Sequence, residues 1–472
     1  MRNRLIAWLL TLVMLCPLVG WAQPEPFDPQ SMQQVMEALV SSKVTPSVSV
    51  AVVHKGQVVF VRALGSADQE RQVAATARTP YRIGSTTKMF TALAVMQLVE
   101  QGKLSLDDTL SSFQSDFPNA SQISVKQLLQ HRSGIPNYLD QALSDGRALQ
   151  PTTPQEIVAS VAKLASLSPP GSKYSYSNTN YVLLGLMVEK LAGMPLHQYF
   201  ASKLFQPAGL KETGTEVSAQ SPALAVGYQG TSPQNPGHLS WYYACGDLSS
   251  TAEDLARFDV ALMDGQIVKP ATLAMMQAQA LPTGAGLSLY GLGLQVNPIG
   301  DLTLAGHHGG VPGFEADDEM VLQDRFAVIA LGNDFNFPTS RILSVALAGC
   351  YPQQMRQLQA LQVQHAAARL EREQPRLTAR FTVFTQSLLT GAPGELPGDL
   401  TEALKAGLNP SVVQVLRATY ADLGQFESLQ FVDDDEVAGL ARYHYVAVFS
   451  QGKKPMTFLL DAQNKLAGFQ TQ

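Results

Sequence analysis

The residues that favour β-strands are collected at the two ends of one long segment, and this distribution constrains the fold more than any other feature. Valines alternate with other residues from Pro46 to Leu64, and residues 54–57 supply a turn, which predicts a β-hairpin. Strand patterns return only after a long helix-rich region, at Tyr290–Val296, Leu302–Ala305, Glu319–Leu322 and Phe326–Leu331. The expected fold is therefore of the α/β (α+β) type, with one antiparallel sheet built from both ends of the domain and a helical lobe inserted between them.

The stretch Tyr81-Arg-Ile-Gly-Ser-Thr-Thr-Lys88 leads into an apolar helical pattern that Gly102 ends. Ser85 is therefore expected at or near a helix start, where unpaired N–H groups and the positive end of the helix dipole favour an anion. Lys88 lies three residues further on, on the same helix face, and can reach the Ser85 hydroxyl. Because serine is a poor nucleophile without a neighbouring base, this Ser-x-x-Lys pattern predicts a serine nucleophile with a lysine base.

Ser-x-x-Lys is a weak pattern by itself, because it also occurs at Ser160–Lys163 and at Ser450–Lys453. A second stretch strengthens it: Tyr176-Ser177-Asn178 is the only Tyr-x-Asn in the chain, and an apolar helical pattern follows it. A tyrosine whose pKa is lowered by a neighbouring ammonium can relay a proton to and from serine. Asn178 can donate to a substrate carbonyl or to Lys88. The alternative interpretation is a tyrosine and an asparagine that close a loop before a helix.

A third stretch, Gly306-His307-His308-Gly309-Gly310-Val-Pro-Gly313, is dense in glycine and follows the strand pattern that ends near Ala305. Glycines let a backbone N–H group approach a substrate closely, as an oxyanion hole requires. The histidines can bind a substrate carboxylate or steer charge, and the alternative is a glycine-rich β-turn. No metal site is predicted, because adjacent histidines point to opposite sides of an extended chain and no carboxylate ligand pattern accompanies them.

In this order, Ser85-x-x-Lys88, Tyr176-x-Asn178 and His307-x-Gly309 resemble the motif set of the serine β-lactamase and penicillin-binding-protein superfamily. The chain looks most like the branch that holds class C β-lactamases, D-alanyl-D-alanine carboxypeptidases, D-aminopeptidases and related esterases, over roughly residues 35–350. The connecting sequence agrees, since Gln127-Leu-Leu-Gln-His-Arg-Ser-Gly-Ile-Pro136 matches the Leu-Leu-x-His-x-Ser-Gly stretch of the family. The resemblance implies a β-lactamase/transpeptidase-like antiparallel sheet flanked by helices.

The resemblance also implies a role for each matching residue. Ser85 would be the acylated nucleophile, Lys88 its base partner and Tyr176 the proton relay. Asn178 would bind the substrate amide. No cofactor is implied.

The glycine-dense stretch would supply the rest of the substrate site. By resemblance, His307 would stand where the family has the lysine of Lys-Thr-Gly, and Gly309 would end that motif. The backbone N–H groups of Ser85 and Gly310 would form the oxyanion hole. The sequence from His308 onward also reads His-x-Gly, which leaves a register one residue later open, but the family's Gly-His-x-Gly-Gly text favours His307.

Departures from the family pattern leave three functions open. Cys245-Gly246 stands where the family recurrently has a glycine pair, and the Ser-Asp-Asn and catalytic glutamate of class A β-lactamases are not recognisable. The leading hypothesis is an exported serine hydrolase that acts on an ester or amide, such as a small-molecule ester, a peptide or a peptidoglycan-like substrate. The second is a β-lactamase or penicillin-binding D,D-carboxypeptidase, and the third is a binding protein on a catalytically retired fold. No Gly-x-Ser-x-Gly elbow occurs, which argues against an α/β-hydrolase.

Composition and charge describe a globular protein with more than one domain. The chain has 472 residues, of which 45% are apolar and 15% charged, and its net charge of −6 with no long basic run argues against a nucleic-acid partner. Residues 30–352 are expected to form the hydrolase-like domain, 353–375 a polar helical linker and 376–472 a small α+β accessory domain. In that last domain the patterns predict two helices and three strands, at 377–389, 400–416, 438–449, 455–460 and 466–470.

The first 22 residues have the pattern of a cleaved secretory signal. Arg2 and Arg4 precede an apolar run from Leu5 to Val19, and Gly20-Trp21-Ala22 offers a small-x-small cleavage site. No later stretch is long and apolar enough to span a bilayer, so the mature protein is expected to be secreted or periplasmic without a membrane span. Cys245 and Cys350, which would then remain, are too few for a disulfide framework and are expected to be buried free thiols.

Overall fold

The computed structural model describes residues 25–215, 224–284, 288–357, 374–390, 399–420, 423–437 and 440–471. The chain divides into two compact units between Arg356 and Gln357. The expected signal peptide at 1–22 and most of the expected linker at 353–375 lie outside the described residues.

The strands of the first unit come early and late in the chain, as the sequence predicts. They are β1 Ser47–His54, β2 Gln57–Asp68, β3 Val73–Ala74, β4 Tyr81–Arg82, β5 Gly214–Thr215, β6 Tyr228–Gln229, β7 Ser232–Pro233, β8 Leu248–Ser250, β9 Leu281–Pro282, β10 Leu289–Tyr290, β11 Gln295–Ile299, β12 Leu302–Val311, β13 Phe314–Val321 and β14 Phe326–Gly332.

Nine of these strands form one sheet in the order β3-β2-β1-β14-β13-β12-β11-β10-β9. All of its pairings are antiparallel, and the β1–β14 pair joins the two ends of the unit inside the sheet, with Val50 opposite Ala330. The β1–β2 turn is made by Lys55 and Gly56, both with positive φ, which suits a tight hairpin. The predicted antiparallel sheet built from both ends of the domain is therefore confirmed.

Helices fill the sequence between the two groups of strands and flank them. They are α1 Pro29–Ser41, α2 Thr87–Glu100, α3 Val125–Leu129, α4 Leu139–Ser144, α5 Pro154–Val161, α6 Asn178–Ala192, α7 Leu196–Phe200, α8 Gln206–Ala208, α9 Tyr243–Gly246, α10 Ala252–Met263, α11 Pro270–Ala278 and α12 Thr339–Cys350. None of the helices in the described ranges is long and apolar enough to cross a membrane.

Both faces of the large sheet are covered, and two adjacent residues of β13 identify what covers each face. Asp317 accepts a hydrogen bond from the hydroxyl of Thr339 on α12, whereas the Asp318 carboxyl faces that of Asp259 on α10. Adjacent strand residues point to opposite faces, so α12 and α10 pack on opposite sides of the sheet.

Helix α2 is buried on almost every side. Eleven of its fourteen residues are buried, and Phe90 stacks on Phe258 of α10 with ring centroids 4.4 Å apart. A helix that is apolar all round belongs in the core of a protein. A short 3₁₀ turn, Gly84–Thr86, leads into it, so Ser85 stands just before the start of this helix, as predicted.

One strand is longer than predicted, and it changes the setting of the histidines. The sequence predicts a strand at Leu302–Ala305 followed by a glycine-dense stretch, but β12 continues to Val311 and pairs with β13 along that length. Glycine has a low strand propensity, but β13 supplies the hydrogen-bonding partner that keeps this stretch in a strand. The turn comes later, where Gly313 has φ +90°.

The second unit is a small α+β domain. Its elements are α13 Pro375–Thr390, α14 Glu402–Gly407, α15 Pro410–Tyr420, β15 Phe426–Val437, β16 Leu440–Phe449, β17 Gly452–Leu460 and β18 Leu466–Thr471. The four strands form one antiparallel sheet in sequence order. Its core includes Phe381 and Phe458, whose rings stack 4.4 Å apart.

Two predictions for this second unit are wrong in detail. The single helix expected at 400–416 is two helices, because Asn409 caps the second by accepting from the N–H groups of Ser411 and Val412, and Pro410 cannot continue the first. Three strands were expected and four are present, since β15 precedes the others.

Candidate active site

The nucleophile candidate lies between two side chains that can exchange protons with it. The ammonium of Lys88 donates to Ser85 Oγ at 3.0 Å, and the Tyr176 hydroxyl donates to the same oxygen at 2.9 Å. Ser85 is half-buried, so its hydroxyl remains accessible to a small molecule. The three residues, predicted from two separate motifs, are thus brought together around one oxygen atom.

Lys88 is fully buried and uses all three of its donors. Besides Ser85, its Nζ donates to Asn178 Oδ1 at 2.7 Å and to the backbone carbonyl of Cys245 at 2.8 Å. Burial disfavours the charged form and lowers the pKa of Lys88 to about 8. This value places the amine close to the range in which it can accept a proton at neutral pH.

Tyr176 does not have the lowered pKa that the sequence suggests. Burial is the largest influence and raises the pKa of Tyr176, and the hydrogen bond to Ser85 offsets this only in part. The expectation that the neighbouring ammonium would lower this pKa is wrong, because removal of the phenol from water outweighs the charge. Tyr176 is therefore a proton donor at neutral pH.

Asn178 is the first residue of α6 and is almost fully buried beside Lys88. Its backbone N–H donates to the side-chain oxygen of Asn137 at 3.0 Å, which fixes the start of the helix. Because Oδ1 accepts from Lys88, the expectation that Asn178 donates to that lysine is wrong. Its Nδ2 amide is the group that can donate to a substrate.

The glycines of β12 lie directly against the turn that carries Ser85. A Cβ on Gly309 would stand 2.0 Å from the carbonyl oxygen of Ile83 and 2.9 Å from the N atom of Ser85. A Cβ on Gly84 would stand 2.9 Å from the carbonyl oxygen of Gly310. Only glycine permits this approach, which brings the backbone of Ser85 and that of Gly310 side by side.

His307 lies on the same face of β12 as Gly309. Its side chain is only 1% exposed, and both ring nitrogens have hydrogen-bond partners. Tyr290 Oη lies 2.9 Å from Nε2, and Nδ1 lies 2.5 Å from the carbonyl oxygen of His308. Nδ1 therefore carries the proton, and Nε2 accepts from the tyrosine. Burial, with the charge of Lys88 next, lowers the pKa of His307 to about 3. Contrary to the expectation, this neutral imidazole offers no positive charge to a carboxylate.

His308 points to the other face of the sheet, as adjacent strand residues must. Its Nε2 pairs with Glu315 at 2.6 Å, and burial of Glu315 raises the pKa of that carboxyl although His308 opposes the rise. The register that places His307 rather than His308 on the Ser85 side is the one that the sequence favours.

Three contributors to the site were missed by the sequence analysis. Tyr290 was seen only as the start of a strand, and His131 only as part of a family stretch. The backbone carbonyl of Cys245 could not have been found, because any residue supplies such an acceptor. Cys245 and Cys350 are both buried free thiols, as predicted.

The hydroxyls of three threonines fix α2 to its surroundings. Thr86 Oγ1 donates to the carbonyl of His307 at 3.0 Å, and Thr91 Oγ1 donates to that of Ala244 at 2.6 Å. Thr87 Oγ1 accepts from the N–H of Leu248. These bonds tie the nucleophile turn to β12 and to the segment that carries Cys245. Within the part of the chain that the structure describes, no group of three or more His, Cys, Asp or Glu side chains could hold a metal ion.

Comparison with known proteins agrees with this fold. PbpX of Bacillus subtilis (strain 168) is 30% identical over 287 residues, which is 60% of this chain and 69% of that protein. The solved structure of D-amino acid amidase from Ochrobactrum anthropi SV3 complexed with L-phenylalanine is similar with a TM-score of 0.62 and 26% identity, over 67% of this chain and 97% of that one. A class C β-lactamase shares the fold, with a TM-score of 0.59 and 20% identity over 67% of this chain and 94% of that one. The Beta-lactamase family matches residues 32–346, and the chain belongs to this family of serine hydrolases.

Proposed function

We propose that this chain forms an acyl-enzyme at Ser85 and hydrolyses an ester or amide, such as a peptide or peptidoglycan-like substrate. One observation carries the proposal: the Ser85 hydroxyl lies between the amine of Lys88 at 3.0 Å and the hydroxyl of Tyr176 at 2.9 Å. A serine with a base on one side and an acid on the other has what acyl transfer requires.

Acylation begins with the neutral form of Lys88. Its Nζ takes the proton of Ser85 as Oγ bonds to the carbonyl carbon of the substrate. A pKa of about 8 leaves about a tenth of the lysine neutral at pH 7. Tyr176 does not compete for this proton, because burial raises its pKa.

The tetrahedral intermediate then loses its leaving group. The bond from carbon to nitrogen or oxygen breaks, and Tyr176 gives its proton to the departing amine or alcohol. The proton held by Lys88 restores the tyrosine hydroxyl. Water next attacks the ester carbonyl on Ser85. The proton of the water passes to Tyr176 while the tyrosine proton passes to Lys88, and Lys88 then returns a proton to Ser85 Oγ. This releases the acid and regenerates the serine. The backbone N–H groups of Ser85 and Gly310 are proposed to hold the oxyanion.

The substrate class follows from the groups beside the serine. Asn178 Nδ2 can donate to the carbonyl of a substrate amide. His307 is neutral with both nitrogens occupied, so an uncharged group is favoured near it over a carboxylate. The D-amino acid amidase neighbour supports a small amide as substrate. We therefore propose amides and esters without an anionic group next to the scissile bond.

Mass spectrometry of the purified protein tests the nucleophile. The chain is incubated with a fluorophosphonate and, separately, with a penicillin, beside the Ser85→Ala variant. An adduct on Ser85 with the fluorophosphonate is expected, and none on the variant. Turnover of a penicillin adduct would favour a β-lactamase and its persistence a penicillin-binding enzyme. A folded protein that forms no adduct with either reagent would leave only a binding role.

Export and an accessory role for the second unit complete the proposal. Arg2, Arg4 and the apolar run Leu5–Val19 support a cleaved signal peptide, and N-terminal sequencing of the exported protein would be expected to begin after Ala22. For residues 376–472 we propose a binding or accessory role, because that segment lacks a cluster of catalytic residue types.

A further inference from the structure

His131 holds both chain segments that flank Tyr176. Its backbone carbonyl accepts from the N–H of Ser175 at 2.8 Å, and its ring Nδ1 accepts from the N–H of Ser177 at 3.1 Å. The residue before the tyrosine and the residue after it are therefore bound to the same histidine. Two such bonds on either side of one residue leave its backbone little freedom to rotate.

The ring of His131 also supports the tyrosine ring. The two centroids are 4.2 Å apart and the planes are tilted by 36°, which is close to offset stacking. Tyr290 and Tyr181 pack on the histidine from other directions, with centroids at 4.7 Å and 5.1 Å. The ring of Tyr176 is thus packed against the ring of His131 while its hydroxyl oxygen contacts Ser85.

The protonation state of His131 is fixed by the same contacts. Nδ1 accepts from a backbone N–H, so the proton of the neutral ring is on Nε2, which is buried without a protein partner. Burial and the charge of Lys88 lower the pKa of His131 well below its usual range. The ring is neutral and keeps one tautomer.

The backbone of His131 is in the left-handed region, with φ +55°. Such a conformation costs energy for most residues, and surrounding structure must enforce it. Here the enforced conformation is what allows the carbonyl and the ring of one residue to reach Ser175 and Ser177 together. Asparagine tolerates this region better than most residues, which gives a usable substitution.

We propose that His131 is a positioning residue that keeps the Tyr176 hydroxyl on Ser85, so that protonation of the leaving group depends on it. This inference rests on the proposed function of Tyr176 as the acid. It predicts an effect on leaving groups that need a proton and little effect on those that do not. A residue that only stabilises the fold would affect both alike.

Two esters of one acyl group separate these cases. Ethoxide leaves ethyl butyrate only with a proton, whereas p-nitrophenolate leaves p-nitrophenyl butyrate without one at neutral pH. For His131→Phe, which keeps a ring but removes the acceptor, kcat/KM for the ethyl ester is expected to fall by about 10- to 100-fold, within the usual size of general acid catalysis. For the p-nitrophenyl ester it should change by less than about threefold.

Two further variants guard against a loss of folding. His131→Asn keeps an acceptor near the position of Nδ1 and suits the positive φ, but it removes the ring, so a smaller loss in the same direction is expected. Tyr181→Phe is the matched control, because it removes a buried hydroxyl from the same cluster and keeps the ring on His131. It should leave the ratio of the two esters unchanged.

A double variant gives the decisive outcome. On a Tyr176→Phe background, His131→Phe should cause no further loss with the ethyl ester, because the acid it positions is already gone. Equal losses for both esters, or an undiminished loss on that background, would overturn the inference. If the unaltered protein cleaves neither ester and Ser85 takes no fluorophosphonate, the proposed function itself fails.

Discussion

The hydroxyl of Tyr290 lies 2.9 Å from Nε2 of His307 and occupies that nitrogen. The pKa of His307, lowered to about 3 by burial, keeps the ring neutral through the working pH range. A position that is a lysine in the related motif is therefore uncharged here. Under the proposed function, this uncharged position disfavours anionic substrates.

We expect phenylalanine amide to be hydrolysed with a kcat/KM at least about tenfold above that of a phenylalanyl dipeptide whose free carboxylate follows the scissile bond, since an unpaired charge in a closed site costs more than this factor. The ratio should stay constant from pH 5 to pH 9, because His307 stays neutral throughout that interval. Steady-state rates at several pH values measure it. A preference for the carboxylate substrate that grows as pH falls through about 6.5 would contradict the assignment.

The rate of acylation should follow the titration of Lys88. The neutral amine is the base, so kcat/KM is expected to rise with pH and to level off above the pKa of about 8. Lys88→Met should lower kcat/KM by about 10²- to 10⁴-fold, the usual contribution of a general base. It should also stabilise the fold, because a buried ammonium is removed.

The control for that variant is Lys190→Met, on the same lobe but at a distance from Ser85, where the lysine donates to the carbonyl of Ser112. It should change neither the pH profile nor the rate. A wild-type profile that is flat between pH 6 and pH 9 would argue against Lys88 as the base.

Gly309→Ala should abolish activity and destabilise the first unit. The added methyl group would lie 2.0 Å from a backbone oxygen, and rigid backbone cannot give way cheaply, so a loss of more than about 3 kcal/mol is expected. The matched control is Gly349→Ala in α12, where a Cβ meets nothing within 4 Å. There a gain of about 0.5–1 kcal/mol is expected from helix propensity. Thermal unfolding with fluorophosphonate titration measures both, and an active Gly309→Ala protein would refute the close approach.

The buried carboxyl pair of Asp259 and Asp318 should make stability depend on pH. Burial is the main cause that raises the pKa of Asp318 to about 7; the hydrogen bond with Asp259 lowers this pKa and the charge of Asp317 raises it. Burial and the charge of Asp318 raise the pKa of Asp259 well above its usual range. A folded-state pKa above the unfolded value of about 3.9 means that the folded protein holds the proton more tightly. The contribution is therefore fully present below pH 4 and is lost as pH rises to about 7, at up to about 1.4 kcal/mol per unit for each group.

Asp259→Asn should flatten this dependence, because an amide can donate to Asp318 and carries no charge. Denaturant unfolding at pH 5, 6, 7 and 8 gives the free energy of unfolding at each pH. At pH 8 the variant should be more stable than the unaltered protein. Asp301→Asn, at an exposed turn residue, is the control and should keep the original slope. An unchanged slope for Asp259→Asn would show that the pair of Asp259 and Asp318 is not the source of the pH dependence.

The parts of the site that the sequence predicts are those fixed by helical geometry. Ser85 and Lys88 are three residues apart on one helix start, so their meeting depends on local structure alone. Tyr176 and Asn178 were recognisable only because a family resemblance linked them to that helix. The large sheet was predictable because valine-rich strands are collected at both ends of the domain.

The parts that the sequence does not predict depend on competition between distant groups. The pKa of Tyr176 was expected to fall because of a nearby charge, but burial, which no local pattern reveals, is larger. β12 was expected to end near Ala305, because its glycines favour a turn, yet β13 pairs with it as far as Val311. β15 was missed because its run of acids, Asp433–Glu436, has low strand propensity.

The β1–β14 pair has a consequence for how the protein folds. Val50 meets Ala330, so almost the whole first unit must be present before the early and late strands can join into one sheet. Contacts between residues so far apart in sequence make folding slow, because the long intervening loop loses conformational entropy before the strands can pair. β12, which braces the nucleophile turn, joins the sheet through this late pairing. Catalytic competence should consequently be among the last properties that a nascent chain acquires, and fragments that end before β14 should be inert.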